Sequence, residues 1–179
     1  YFHAGDFEKS LDSLDKSVTI NSSFVPALNK LGECHFFLGQ TEKALYYFQE
    51  AIQLDPLYIV AKSNMGLALA NFRFVEYDVS ISLMIASLLY ENLYICPERI
   101  IGSVISLLYL DPVLRPILTG QTLMECSASI NKVLRNLGQS PLLCAALENC
   151  VLANFELEKF FTQLRKVILF NYSEIKDDE

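Results

Sequence analysis

The chain has 179 residues, of which 52% are hydrophobic and 20% are charged, and its formal net charge is −7. This composition is typical of a folded chain with a sizeable core and excludes a disordered tail. The cations form no basic run, so the sequence predicts neither nucleic-acid binding nor docking to anionic membranes, which both need clustered cations. The longest apolar stretch, residues 79–95, is interrupted by Glu91 and Asn92. It therefore falls short of the ~20 apolar residues of a membrane span.

The cysteines number five and include no C-x-x-C pair. The sequence therefore predicts neither a disulfide framework nor a thiolate zinc site. Small buried thiols in a reducing compartment are the simplest interpretation, so we expect a cytoplasmic location.

Residues 1–24 contain the end of one helix and the whole of a second. Gly5 marks the turn between them, and the second helix has an apolar stripe of Leu11, Leu14 and Val18. Because the first helix is cut short, we expect a truncated helical hairpin here, as in a fragment of a longer array.

Residues 25–58 contain a complete helical hairpin, with helices predicted over 25–38 and 41–54. Gly39 allows the tight turn between them, and Gly32 has no side chain, so the second helix can lie close against the first.

The second helix of this hairpin is predicted to pack through small residues. Ala44 and Ala51 are seven residues apart, so they lie on one face and leave room for close helix contact. Pro56 ends the helix. The bulk of the core is predicted to come from Leu45, Phe48 and Leu54.

The spacing of these residues resembles the tetratricopeptide repeat, a hairpin of two helices. The residues that carry the resemblance are Leu31-Gly32, Gly39, Ala44, Phe48, Ala51 and Asp55-Pro56. The resemblance implies a curved α-solenoid whose concave wall is formed by the first helix of each repeat.

A degenerate third repeat is predicted over residues 59–92. Met65-Gly66 repeats Leu31-Gly32, but Arg73-Phe74 replaces the turn glycine. We predict its helices over 58–72 and 76–90.

The concave wall is the predicted binding surface for a partner protein or peptide. An aromatic pair beside Asn and Glu suits such a partner, although Phe36 and Phe37 could instead pack between repeats. A clamp for a terminal carboxylate, known in this family, is excluded because only Lys30 and Lys62 lie nearby and Glu33 opposes an anion. The residues predicted on the wall are Asn29, Glu33, Phe36, Phe37, Ser63, Leu67 and Asn71.

Residues 93–179 are predicted to form a second domain, a leucine-rich helical bundle with an acidic C-terminal tail. Asp111-Pro112 combines a capping residue with a proline and predicts the start of a short helix, as Ser140-Pro141 does for a later one. The final helix is amphipathic and either closes the fold or presents a partner-binding face. The predicted longer helices cover 97–110, 123–137, 142–150 and 155–170.

This half is similar to the helical region that follows tetratricopeptide repeats in certain bacterial proteins, where a class I S-adenosylmethionine-dependent methyltransferase domain comes next. The residues that carry the similarity are Leu110-Asp111-Pro112, Pro141-Leu142-Leu143 and Glu156-Leu157-Glu158. The chain has no glycine-rich turn for that cofactor. The similarity therefore implies a substrate-recruiting, non-catalytic part of an enzyme whose catalytic domain lies outside this chain.

The sequence contains no catalytic, cofactor-binding or metal-binding motif that we recognise. His35 is expected to be a packing side chain, and it cannot pair with Cys34 because adjacent helical residues point about 100° apart. We therefore predict an all-α interaction scaffold and not an enzyme: helical-hairpin repeats followed by a helical bundle. Self-association is a further possibility, because the truncated first repeat leaves apolar surface open.

Overall fold

The computed structural model describes residues 6–70, 72–91, 96–118, 135, 137–150 and 157–166. All regular secondary structure within these ranges is helical, which confirms the all-α prediction. Of the predicted helix over 123–137, only residues 135 and 137 are described, and the acidic tail lies outside the described residues. The described helices are α1 (Phe7–Ile20), α2 (Val25–Phe37), α3 (Thr41–Leu54), α4 (Ile59–Leu69), α5 (Val79–Glu91), α6 (Pro97–Leu110), α7 (Leu114–Leu118) and α8 (Pro141–Asn149), and residues 157–166 are also helical.

Helices α2 and α3 form the first complete hairpin, with the predicted use of small residues. Gly39 has a φ of +75° in the turn, a left-handed conformation that favours glycine. Gly32 lies against the ring of Phe48, so that a Cβ at this position would be 2.5 Å from Phe48 Cε1. Ala44, Ala51 and Phe48 are all buried. The predicted close contact of the two helices is therefore confirmed.

Leu54 does not belong to the core as predicted, since it is 47% exposed. Ile52 is buried instead. Two residues along a helix correspond to a rotation of about 200°, so Leu54 lies on the opposite side from Ile52. The prediction for Leu54 is therefore wrong, whereas Leu45 is buried as expected.

The third hairpin departs from the prediction at its turn. Helix α4 ends at Leu69 and α5 begins at Val79, so both helices are shorter here than predicted and a longer connection, residues 70–78, joins them. Asp78 sets the start of α5, because its Oδ1 accepts a hydrogen bond from the backbone N–H of Ile81 at 2.9 Å. Asp is a favoured residue at such an N-cap.

A buried carboxylate joins the caps of two helices in the second half. Asp111 Oδ1 accepts a hydrogen bond from the backbone N–H of Val113 at 2.7 Å, just before α7. Its Oδ2 accepts a hydrogen bond from Ser140 Oγ at 2.6 Å. Ser140 in turn caps α8 by accepting from the backbone N–H of Leu143 at 3.4 Å. The predicted capping roles of Asp111 and Ser140 are thus both seen.

One buried apolar cluster extends from Leu28 in α2 to Leu164 in the helical segment 157–166. Helix α5 packs against α8, and α4 contacts α6. The ring of Phe160 meets that of Tyr109 in α6 edge-to-face, with centroids 5.1 Å apart. The described part of the last helix therefore packs onto the fold and closes it. The predicted domain boundary after residue 92 stays a prediction, and the buried cluster continues across it.

None of the described helices is long and apolar enough to cross a membrane.

Candidate partner-binding surface

Helices α2 and α4, the first helices of consecutive hairpins, are joined by a polar cluster. Asn29 is only 1% exposed, and its Nδ2 donates a hydrogen bond to Glu33 Oε1 at 2.7 Å. Asn64 Nδ2, from α4, donates to Asn29 Oδ1 at 3.0 Å and to Glu33 Oε1 at 3.1 Å. Since buried polar groups are stable only when hydrogen-bonded, this cluster fixes α4 against α2.

Asn64 is a residue that the sequence analysis missed. It lies 34 residues after Lys30, so the repeat offset places it on the corresponding turn of the next first helix. Offset alone, however, does not show that its side chain spans to the neighbouring helix.

The two lysines considered for a carboxylate clamp are both engaged elsewhere. Lys30 Nζ lies 2.6 Å from Glu33 Oε2, so the positive and negative charges of this part of the wall balance. Lys62 is buried and forms an ion pair with Glu91 of α5. The described wall therefore presents no concentrated positive charge for an anionic ligand.

The predicted aromatic pair lies at the other end of α2. Phe37 is 59% exposed and Phe36 is exposed to a lesser degree, with ring centroids 6.0 Å apart. Phe37 also stacks on Phe7 of α1, with centroids 5.1 Å apart and ring planes 10° apart. Phe37 therefore packs against the preceding helix and still keeps much of its ring exposed.

Helix α4 has an exposed apolar pair of its own. Leu67 is 54% exposed, and Val60, seven residues earlier on the same helical face, is also exposed. Ser63 lies between them and is half-buried. The seven-residue spacing from Leu67 could have identified Val60 from the sequence. Asn71 lies outside the described residues.

Two groups that could support chemistry, His35 and Cys150, are engaged in packing. His35 is buried, its Nδ1 is 2.8 Å from Gln40 Oε1, and its ring stacks on Tyr47 with centroids 5.2 Å apart. Its predicted packing role is confirmed. Burial raises the pKa of the Cys150 thiol to about 11, which keeps it protonated near neutral pH.

The prediction that the cysteines are buried holds for Cys34 and Cys150, whereas Cys96 is exposed and Cys144 is half-buried. Among the described residues, no group of three or more His, Cys, Asp or Glu side chains is placed to hold a metal ion.

Comparison with known proteins supports the assignment of the central hairpin. Residues 25–58 match the family model of the tetratricopeptide repeat. The match begins at the first residue of α2 and ends at the residue before α4. Tetratricopeptide repeats typically bind proteins or peptides and are typically not catalytic, so the match supports a protein–protein interaction scaffold in general terms.

No curated protein and no solved structure matches the chain. The similarity of the second half to methyltransferase-associated regions therefore stays a sequence-based prediction.

Proposed function

We propose that the protein binds a partner protein or peptide on the wall formed by α2 and α4. The observation that carries the proposal is the exposed apolar surface of this wall, with Leu67 54% and Phe37 59% exposed in helices whose other faces are well packed. Exposed side chains of this size on one wall mark a binding surface better than scattered single residues would.

The polar cluster gives this wall a defined shape. Asn29 is too deeply buried to contact a partner, and it acts by holding α4 in register with α2. Glu33 retains 15% side-chain exposure and can meet a partner at its edge. A surface already ordered before binding loses less conformational entropy when the partner arrives.

The apolar residues supply the larger part of the binding free energy. Full burial of a Leu or Phe side chain contributes about 1.5–3 kcal/mol, so covering the exposed half of Leu67 or Phe37 contributes about 1 kcal/mol each. Ser63, between Val60 and Leu67, offers a hydroxyl to the partner's backbone. Asn71, which lies outside the described residues, is proposed to contact the partner as well.

The proposal can be tested with peptides that are selected from a display library for binding to the full chain. We expect Leu67→Ser to weaken binding of the selected peptides about fivefold. The matched control is Leu147→Ser, since Leu147 in α8 is exposed to nearly the same degree but lies away from the wall. Phe37→Ala should act like Leu67→Ser, with thermal unfolding used to check that the fold survives loss of the Phe7 contact.

Equal affinities for wild type, Leu67→Ser and Phe37→Ala would refute the proposal. Light scattering tests whether a second copy of the chain covers the wall. In that case the measured mass would increase with concentration, and Leu67→Ser would abolish the increase.

A further inference from the structure

The connection between α4 and α5 borders a cleft that is separate from the α2–α4 wall. In the preceding hairpin Gly39 makes a tight turn, whereas here the chain runs through residues 70–78 before α5 begins. This longer segment lies opposite α3, and the space between them is a cleft of about 430 Å³. The departure from the repeat pattern at Arg73-Phe74 thus creates a concave site.

The outer wall of the cleft is held in place by α6. Ser103 is fully buried, and its Oγ lies 2.6 Å from the carbonyl oxygen of Leu69 and 2.7 Å from that of Phe72. Ser106 Oγ accepts a hydrogen bond from the backbone N–H of Phe74 at 3.0 Å. These bonds order the connection, so the cleft exists before any ligand binds.

Aromatic rings line much of this cleft. The rings of Phe72 and Phe74 meet edge-to-face, with centroids 4.8 Å apart and planes at 85°. Tyr46, from α3 on the opposite side, is 57% exposed, and Val75 on the connection is 79% exposed. Ring faces of this kind attract cations through the aromatic quadrupole.

Carboxylates supply the charge of the cleft. Glu42 of α3 and Glu76 of the connection line it and are exposed, and Asp78 lies at its end. No lysine or arginine is among the described residues that line it. The chain as a whole also has a net charge of −7, which favours the approach of a cation.

We infer that this cleft binds an arginine side chain presented by a segment of a partner protein. A guanidinium can stack on Tyr46 while donating hydrogen bonds to Glu42 or Glu76, which a compact ammonium ion does less well. The exposed apolar surface of Val75 at the rim is suited to residues that flank the arginine, so the ligand is a chain segment and not a free ion.

Fluorescence anisotropy with a labelled tetra-arginine peptide and the full chain tests this inference. We expect saturable binding that Glu42→Gln combined with Glu76→Gln weakens about tenfold, because both carboxylates that can pair with the guanidinium are removed. The control is Glu8→Gln combined with Glu148→Gln, which changes the net charge equally at exposed sites outside the cleft. The control should weaken binding about twofold at most.

Tyr46→Ala removes the aromatic ring without changing the net charge, and it should weaken binding of the peptide about threefold. Circular dichroism confirms that each variant remains folded. Leu67→Ser, which tests the α2–α4 wall, should leave tetra-arginine binding unchanged, so the two surfaces can fail independently.

Three results would overturn the inference. Equal weakening by the cleft pair and the control pair would mean that the peptide only senses net charge. Tetra-lysine binding as tight as tetra-arginine would remove the argument for a stacked guanidinium. Absence of saturable tetra-arginine binding to the wild-type chain would exclude the site altogether.

Discussion

Replacing Gly32 by alanine should destabilise the protein through its contact with Phe48. The added Cβ would lie 2.5 Å from Cε1 and 2.6 Å from Cδ1 of that ring, whereas carbon atoms in favourable contact are about 3.5–4.0 Å apart. The ring has little room to retreat, because Phe48 is buried in a closely packed core. Overpacking of this kind costs about 1–3 kcal/mol. Because an approach of 2.5 Å is a severe overlap, we expect a cost in the upper part of that range, about 2–3 kcal/mol. The better helix propensity of alanine offsets about 1 kcal/mol of it, which leaves a net loss of about 1–2 kcal/mol.

Urea denaturation followed by circular dichroism measures this loss. With a urea dependence of about 2 kcal/mol per molar, the midpoint should fall by about 0.5–1 M. Phe48→Leu completes a double-mutant cycle, since the shorter side chain removes the clash. In that background Gly32→Ala should become neutral or stabilising by up to about 1 kcal/mol. A Gly32→Ala protein as stable as wild type, or a penalty that persists beside Phe48→Leu, would refute the reasoning.

Three further predictions follow from local contacts. Gly39→Ala should lower the free energy of unfolding by about 1 kcal/mol, because Gly39 has a φ of +75°, and Gly39→Asn should lower it less. Equal stabilities of the wild type and Gly39→Ala in urea would contradict this. Ser103→Ala should cost about 1 kcal/mol, because its hydroxyl is lost from the Leu69 and Phe72 carbonyls while each carbonyl keeps another donor. The substitution should also speed hydrogen exchange in the connection, and unchanged exchange would show that the serine does not order it. The Cys150 thiol has a pKa near 11, so at pH 8 it should react with a thiol reagent far more slowly than the exposed Cys96. Peptide mapping at rising pH should show the labelling of Cys150 increase as its thiolate forms. Comparable reaction rates at pH 8 would contradict the burial of Cys150.

Helix bounds could be predicted from the sequence wherever the ends carry local signals. The predicted helices over 41–54 and 97–110 agree residue for residue with α3 and α6. Their ends are marked by Gly39, Pro56, Pro97 and Asp111, residues whose preference for turns and caps depends only on their own backbone chemistry.

The turn of the third hairpin shows where local signals were insufficient. Without a glycine, nothing in the immediate sequence indicates a nine-residue connection, and its course depends on serines of α6 that lie about thirty residues later in the chain. Asp78 is a capping residue directly before an apolar segment, so the start of α5 could have been predicted from it.

For the wall residues, the helix on which each lies could be predicted from the sequence, but its depth of burial could not. Helical periodicity indicates that Asn29, Glu33, Phe36 and Leu67 lie on the first helices, but it cannot show how deeply each is covered. Burial of Asn29 depends on Asn64 of the next hairpin reaching across, which is a tertiary contact and not a property of either helix alone.

The anchoring of the α4–α5 connection by α6 also limits how the protein could be re-engineered. A consensus hairpin inserted between Tyr58 and Ile59 would have to copy the Asp55-Pro56 turn. It would also have to supply an amide in place of Asn64, because the insertion would separate Asn64 from Asn29 and Glu33. After α5 the same graft would separate the connection from Ser103 and Ser106 and leave their partners exposed. Both junctions therefore carry specific contacts that an inserted hairpin would have to reproduce: the Asn64 amide at the first and the hydroxyls of Ser103 and Ser106 at the second.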